Sequence, residues 1–223
     1  MTIADVREAT PPRSTSAPGG RPIVRHLAGA TSRLASLRLW VVNAVVFAVF
    51  AVVFFGTAAP FAVGRVEAIC RQAPPDVRFT SSADAVMGFL TACGPAGRDA
   101  YRLLQVADLL YPTVFGMFLA TSMALVISRL APTRRALVGL AVLPLVGSAF
   151  DYLENICAWL ALTAYPDPAR AGSLLGLASA AKTLTFWTSG AVLLAALGML
   201  VIARARQLRS RANGSDVDAT ARH

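Results

Sequence analysis

Lys182 is the single lysine among 21 basic residues, and it stands inside an apolar stretch, Ser173 to Ala203, that carries no other charge. Two further apolar stretches hold Asp108 and the pair Asp151 and Glu154. An ionisable side chain in a membrane helix is costly and usually faces a partner or a water-filled cavity. Spacing then groups these residues by helix face, because positions three and four apart are neighbours. Asp151 shares a face with both Glu154 and Asn155, and Ser179, Lys182 and Thr183 cluster with Trp187 nearby. Arg98, Tyr101, Gln105, Asp108 and Tyr111/Pro112 form a third line. Asp108, Asp151, Glu154 and Lys182 are the candidate catalytic residues, and Arg98, Tyr101, Tyr111 and Asn155 the candidate substrate-binding residues.

The chemistry follows from charge balance. Three acids face one lysine, with Arg98 near the entrance, so full ionisation leaves negative charge in excess at low dielectric. The expected relief is that one carboxyl stays protonated beside an ionised neighbour, the arrangement that general acid–base chemistry uses. Proton relays use it as well, and a divalent cation is another way to satisfy surplus oxygens. The plainer alternative is an ion-pair network that only fixes helix register, each interhelical polar contact contributing about 0.6–2 kcal/mol.

The elements that must position these groups are membrane spans. A span needs about 20 mostly apolar residues, and four stretches qualify, at about 39–64, 103–128, 136–164 and 173–203. Charged residues make up 15% of the chain, well under the roughly 25% of a soluble domain. The expected fold is an all-α integral membrane bundle of four transmembrane helices over residues 39–203. Arginine placement sets its orientation. Six arginines precede the first span, three lie in Arg129 to Arg135, and Arg204, Arg206, Arg209 and Arg211 follow the last. The connection 65–102 balances five arginines against four acids. The positive-inside rule therefore puts both termini in the cytoplasm and 65–102 outside. With that topology, Asp108, Asp151, Glu154, Asn155 and Lys182 all fall in the outer half of the bilayer, at a rise of about 1.5 Å per residue. The localisation expected is a bacterial inner membrane, crossed several times.

Residues 1–38 are expected to be a disordered basic leader, with an interfacial helix or a linker over 21–38. Residues 204–223 form a basic cytoplasmic tail. Small residues around Thr57 resemble a signal-peptide cleavage site, but an apolar run of 26 residues exceeds the roughly 7–15 of a signal core. In the outer connection Ser81 or Ser82 can cap a helix starting near Ala83. Gly94-Pro95 should stop it, and a helix from Ala96 should run unbroken into the second span. Cys70 and Cys93 share that connection, where an outer compartment permits a disulfide. Cys157 reads as a packing residue. His26 and His223 lie outside the spans, so no metal ligands are assigned. No phosphate-binding loop, dinucleotide fingerprint or other cofactor signature is present, and the cofactor is left unknown. Basic charge is read as contact with membrane lipids, with no nucleic-acid partner expected.

Gly97-Arg98-x-x-Tyr101, Asp108-x-x-Tyr111-Pro112, Asp151-x-x-Glu154-Asn155 and Lys182 together resemble a family of small four-span bacterial membrane proteins. That resemblance covers about residues 77–190. It implies a shared site built from those residues and no particular activity or substrate.

Three functions fit. One is an intramembrane enzyme performing acid–base chemistry on a lipid or amphiphile. A second is a proton- or ion-coupled carrier or channel, for which four spans require a homo-oligomer. The third is a structural or partner-binding bundle.

Overall fold

The computed structural model describes residues 34–57 and 59–220, with side chains described for 34–57, 59–134 and 137–210. The leader proposed for 1–38 lies almost wholly outside these residues. All regular structure among the described residues is helical: α1 Leu37–Gly56, α2 Val63–Cys70, a 3-10 turn Pro75–Val77, α3 Ala83–Asp108, α4 Tyr111–Leu130, a 3-10 segment Arg135–Val142, α5 Leu143–Ala164 and α6 Ala169–Thr220. Four helical stretches are long and apolar enough to cross a membrane: Leu37–Gly56, Ala83–Leu130, Leu137–Ala164 and Ala169–Ser210.

The first stretch stops at Gly56 rather than running to residue 64. Thr57 is extended, and its hydroxyl donates to the Val53 carbonyl at 2.7 Å. Pro60 follows, and a residue before proline is pushed out of the helical region. α1 is apolar on every side and largely exposed, as befits a helix whose surroundings are lipid. It meets α4 through Phe47 stacked on Phe118 at 4.8 Å and through Trp40, whose indole N–H donates to Ser122 Oγ at 2.9 Å.

Ser82 caps α3 by accepting from the Ala85 N–H at 3.1 Å. Gly94 breaks the helix as expected, so that α3 is two helical pieces meeting at a kink. It takes φ 60° there, a left-handed geometry that glycine adopts at no steric cost. The unbroken run into the second span is corrected. α3 ends at Asp108, Leu109 and Leu110 form a turn, and α4 starts at Tyr111. Pro112 accounts for the break, since it cannot donate to the Asp108 carbonyl and its ring crowds that turn. Carbonyls on both sides of the break find donors on one face of α5. Ser148 Oγ donates to the Pro112 carbonyl at 2.6 Å, Tyr152 Oη to Leu109 at 3.0 Å, and Asn155 Nδ2 to Asp108 at 3.4 Å. A broken helix inside a membrane survives only when neighbours re-satisfy its backbone in this way.

The α1–α3 connection is folded back over the bundle. Cys70 and Cys93 form a disulfide that ties α2 to α3. Gly97 leaves room for it, since a Cβ there would sit 2.9 Å from Cys70 Sγ. Residues 80–83 then lie directly on α6. Gly172 and Gly176 are one turn apart and admit this segment. A Cβ at 172 would meet Ala83 Cα at 3.0 Å, and one at 176 would collide with the Ser81 backbone. Thr80 Oγ1 donates to the Gly176 carbonyl at 3.0 Å.

Gly176→Ala should therefore lift the segment off α6 and cost about 1–3 kcal/mol, the usual range for overpacking. Faster hydrogen exchange over 75–82, with a lower melting temperature, is the expected result.

Candidate functional site

Beneath the folded-back connection, α3, α5 and α6 bring a polar cluster together. Asp108, Asp151, Glu154 and Ser179 are all buried to 7% exposure or less. Lys182, one turn beyond Ser179, sits among them. Its Nζ donates to Glu154 Oε2 and to the Asp76 carbonyl at 3.1 Å, and lies 3.3 Å from Asp151 Oδ1. The Asp151 contact is ionic rather than an aligned hydrogen bond, since neither Asp151 carboxylate oxygen has a hydrogen-bond partner among the described residues. Ser179 Oγ donates to Glu154 Oε1. An ammonium has three N–H groups, and three oxygens surround this one.

Asp76 is the site residue that sequence reasoning missed. It belongs to the 3-10 turn of the connection, yet it is buried to 6%. Its Oδ2 accepts from Gln105 Nε2 at 2.6 Å, and Gln105 itself is fully buried. Burial pushes the Asp76 carboxyl above its ordinary range, with the Lys182 charge acting against that shift. The only signal in the chain is Gln105, a polar residue one turn before Asp108 that needs a buried partner.

Tyr101 points the same way, with Oη buried and without a hydrogen-bond partner among the described residues. Tyr111 lies past the helix break and enters the site from α4. It stacks on Phe115 at 5.4 Å and on Phe54 at 6.0 Å. Asn155 gives its N–H to the backbone of Asp108. Arg98 stands apart from the cluster: its Nη1 donates to the Leu90 carbonyl at the α3 kink at 2.9 Å, and its guanidinium lies over the Tyr165 ring at 4.2 Å.

The cluster forms the polar part of a cavity of about 430 Å³. Asp76, Arg78, Asp108, Lys182 and Thr183 are its polar lining, and the remaining wall is mostly aromatic, from Phe54, Tyr111, Phe115 and Phe186. Phe55, Phe79 and Trp187 also line it but are 46–68% exposed, so the cavity opens through an aromatic rim. Asp108 differs from the other acids. It faces the cavity, and no lysine or arginine among the described residues pairs with it within 4 Å. Among the described residues no three His, Cys, Asp or Glu side chains are arranged to hold a metal ion.

This geometry lets one group exchange protons while others hold a fixed positive charge beside it. Removing the fixed charge should be costly. Lys182→Met leaves Glu154 and Asp151 buried without their cation, and breaking a buried pair from one side costs about 3–5 kcal/mol. Adding Glu154→Gln to that variant should recover part of the loss in melting temperature, because one unpaired acid disappears.

Comparisons with protein families, with curated proteins and with solved structures found no match for this chain.

Proposed function

We propose that this is a multi-pass protein of a bacterial inner membrane, with both termini in the cytoplasm, that performs acid–base chemistry on the headgroup of a lipid or other amphiphile. One observation carries the reading: a buried carboxyl without a lysine or arginine partner among the described residues, Asp108, faces a cavity whose wall is mostly aromatic and whose aromatic rim is exposed. A ligand held there needs an apolar part to match the walls and a polar part to reach the carboxyl. Ligand pockets combine mostly apolar walls with few placed polar groups in this manner.

Each residue then has a distinct role. Asp108 takes a proton from one atom of the headgroup as general base and delivers it to another as general acid, so that the headgroup leaves the site changed. Lys182 supplies a fixed positive charge near that carboxyl, and charge placed beforehand stabilises a developing anion without reorganisation. Glu154, Asp151 and the Asp76 carbonyl hold Lys182 in place. Tyr111 and Phe115 pack the apolar part of the ligand. Arginine placement supports the orientation, which puts the cavity in the outer half of the bilayer, open to lipids of that leaflet.

The test uses purified full-length protein in vesicles of bacterial polar lipid, with lipid species followed by mass spectrometry over time. Wild-type protein should produce a species absent from empty vesicles. Asp108→Asn should reduce its rate about 10²–10⁴-fold, the usual contribution of a positioned acid or base, while melting within a few degrees of wild type. Identical lipid profiles for wild type, variant and empty vesicles overturn the reading.

A further inference from the structure

The cluster is short of donors. Four buried carboxyls, Asp76, Asp108, Asp151 and Glu154, share one ammonium. Six buried polar atoms lack a hydrogen-bond partner among the described residues, and five of them are oxygens that only accept as the hydrogen bonds stand: Asp76 Oδ1, Gln105 Oε1, both Asp151 oxygens and Asn155 Oδ1. The sixth, Tyr101 Oη, can donate once. Lys182 is already engaged, with two N–H groups given to Glu154 and the Asp76 carbonyl and Asp151 Oδ1 3.3 Å from its Nζ. Of the residues with unpartnered atoms Asp76 lines the cavity, beside Asp108, while Arg78 in the same lining gives an N–H to the Ala73 carbonyl. Buried acceptors left without donors are expensive, so the Asp76 and Asp108 side of the cavity favours a ligand that brings N–H groups and positive charge. The walls agree. The faces of Tyr, Phe and Trp rings attract cations, and Tyr111, Phe115, Phe186 and Trp187 line the same cavity.

From this we infer that the ligand is an amphiphile whose headgroup ends in an N–H-bearing ammonium, seated between the Asp108 and Asp76 carboxyls and the aromatic wall. The inference rests on the amphiphile reading above and narrows it. An anionic headgroup brings negative charge against Asp76 and Asp108 with no ammonium of its own to offset it. A trimethylammonium brings charge but no donor.

Three lipids with the same acyl chains separate these cases: phosphatidylethanolamine, phosphatidylcholine and phosphatidylglycerol. Wild-type protein in detergent is titrated with each, and bound lipid is counted by native mass spectrometry. Thr183→Trp, which fills the cavity from α6, identifies binding that occurs there. Phosphatidylethanolamine should bind at least tenfold more tightly than either of the others, and Thr183→Trp and Asp108→Asn should each remove that preference. Cavity-dependent binding in which phosphatidylglycerol or phosphatidylcholine equals phosphatidylethanolamine overturns the ammonium inference and leaves the amphiphile reading standing. Lipid binding that Thr183→Trp does not change, for all three lipids, overturns both. The headgroup comparison needs only wild-type protein, so it decides the question even where a variant fails to fold.

Discussion

An ammonium held away from water must be surrounded by oxygen, and much of this structure can be derived from meeting that demand at Lys182. α6 supplies the lysine within a stretch that has no other charge. α5 supplies two carboxylates in successive turns, Asp151 and Glu154, each within 3.3 Å of Nζ. The remaining oxygen comes from the backbone of a short turn, and a turn reaches that depth only if it can lie against α6. Gly172 and Gly176 permit this, because small residues let backbones approach closely. The disulfide fastens the other end of the connection to α3. Local features that look unrelated in sequence thus serve one electrostatic requirement.

α5 carries a second burden on the neighbouring face. Pro112 breaks the second span, and in a bilayer each unpaired backbone group costs several kcal/mol. Ser148, Tyr152 and Asn155 repair the break from across the interface. Asp151 and Glu154 alternate with these three along the same helix, so one element both mends α4 and holds the lysine. The break also delivers Tyr111 to the cavity at an angle that a continuous helix would not give it.

The helical class and the four spans were legible because four uncharged or nearly uncharged runs of this length can bury their apolar surface in a bilayer and hardly anywhere else in so short a chain. Asp108, Asp151, Glu154 and Lys182 were legible for the opposite reason: a charge in an apolar run violates the pattern and marks itself. Asp76 had no such contrast. It follows Pro74-Pro75 in a segment of mixed charge, where an aspartate reads as a solvated turn residue, and only the tertiary fold buries it. Arg98 shows the converse error. Its spacing put it on the line of Tyr101, Gln105 and Asp108, but its long side chain turns back to the carbonyl of Leu90 beside the Gly94 kink. Helical periodicity fixes where a residue leaves the backbone, not where an arginine ends. The break before Pro112 went against the expected unbroken helix, because apolar composition marks a span whether or not α5 is there to pair the backbone groups a proline frees.

Asp76 stands in two relations at once. Its carbonyl is one of the three oxygens around Lys182, and the residue itself forms part of the cavity wall. Whatever enters far enough to push that turn outward also strips the lysine of an acceptor, so an N–H becomes free at the moment of arrival. Depth and local charge are thereby linked: the turn in place keeps an oxygen on the lysine, and an ammonium that displaced it would meet a like charge, so the turn sets how deep such a headgroup can go. That limit is set by a turn of three residues, with the disulfide before it in the chain and the contact with Gly172 and Gly176 after it.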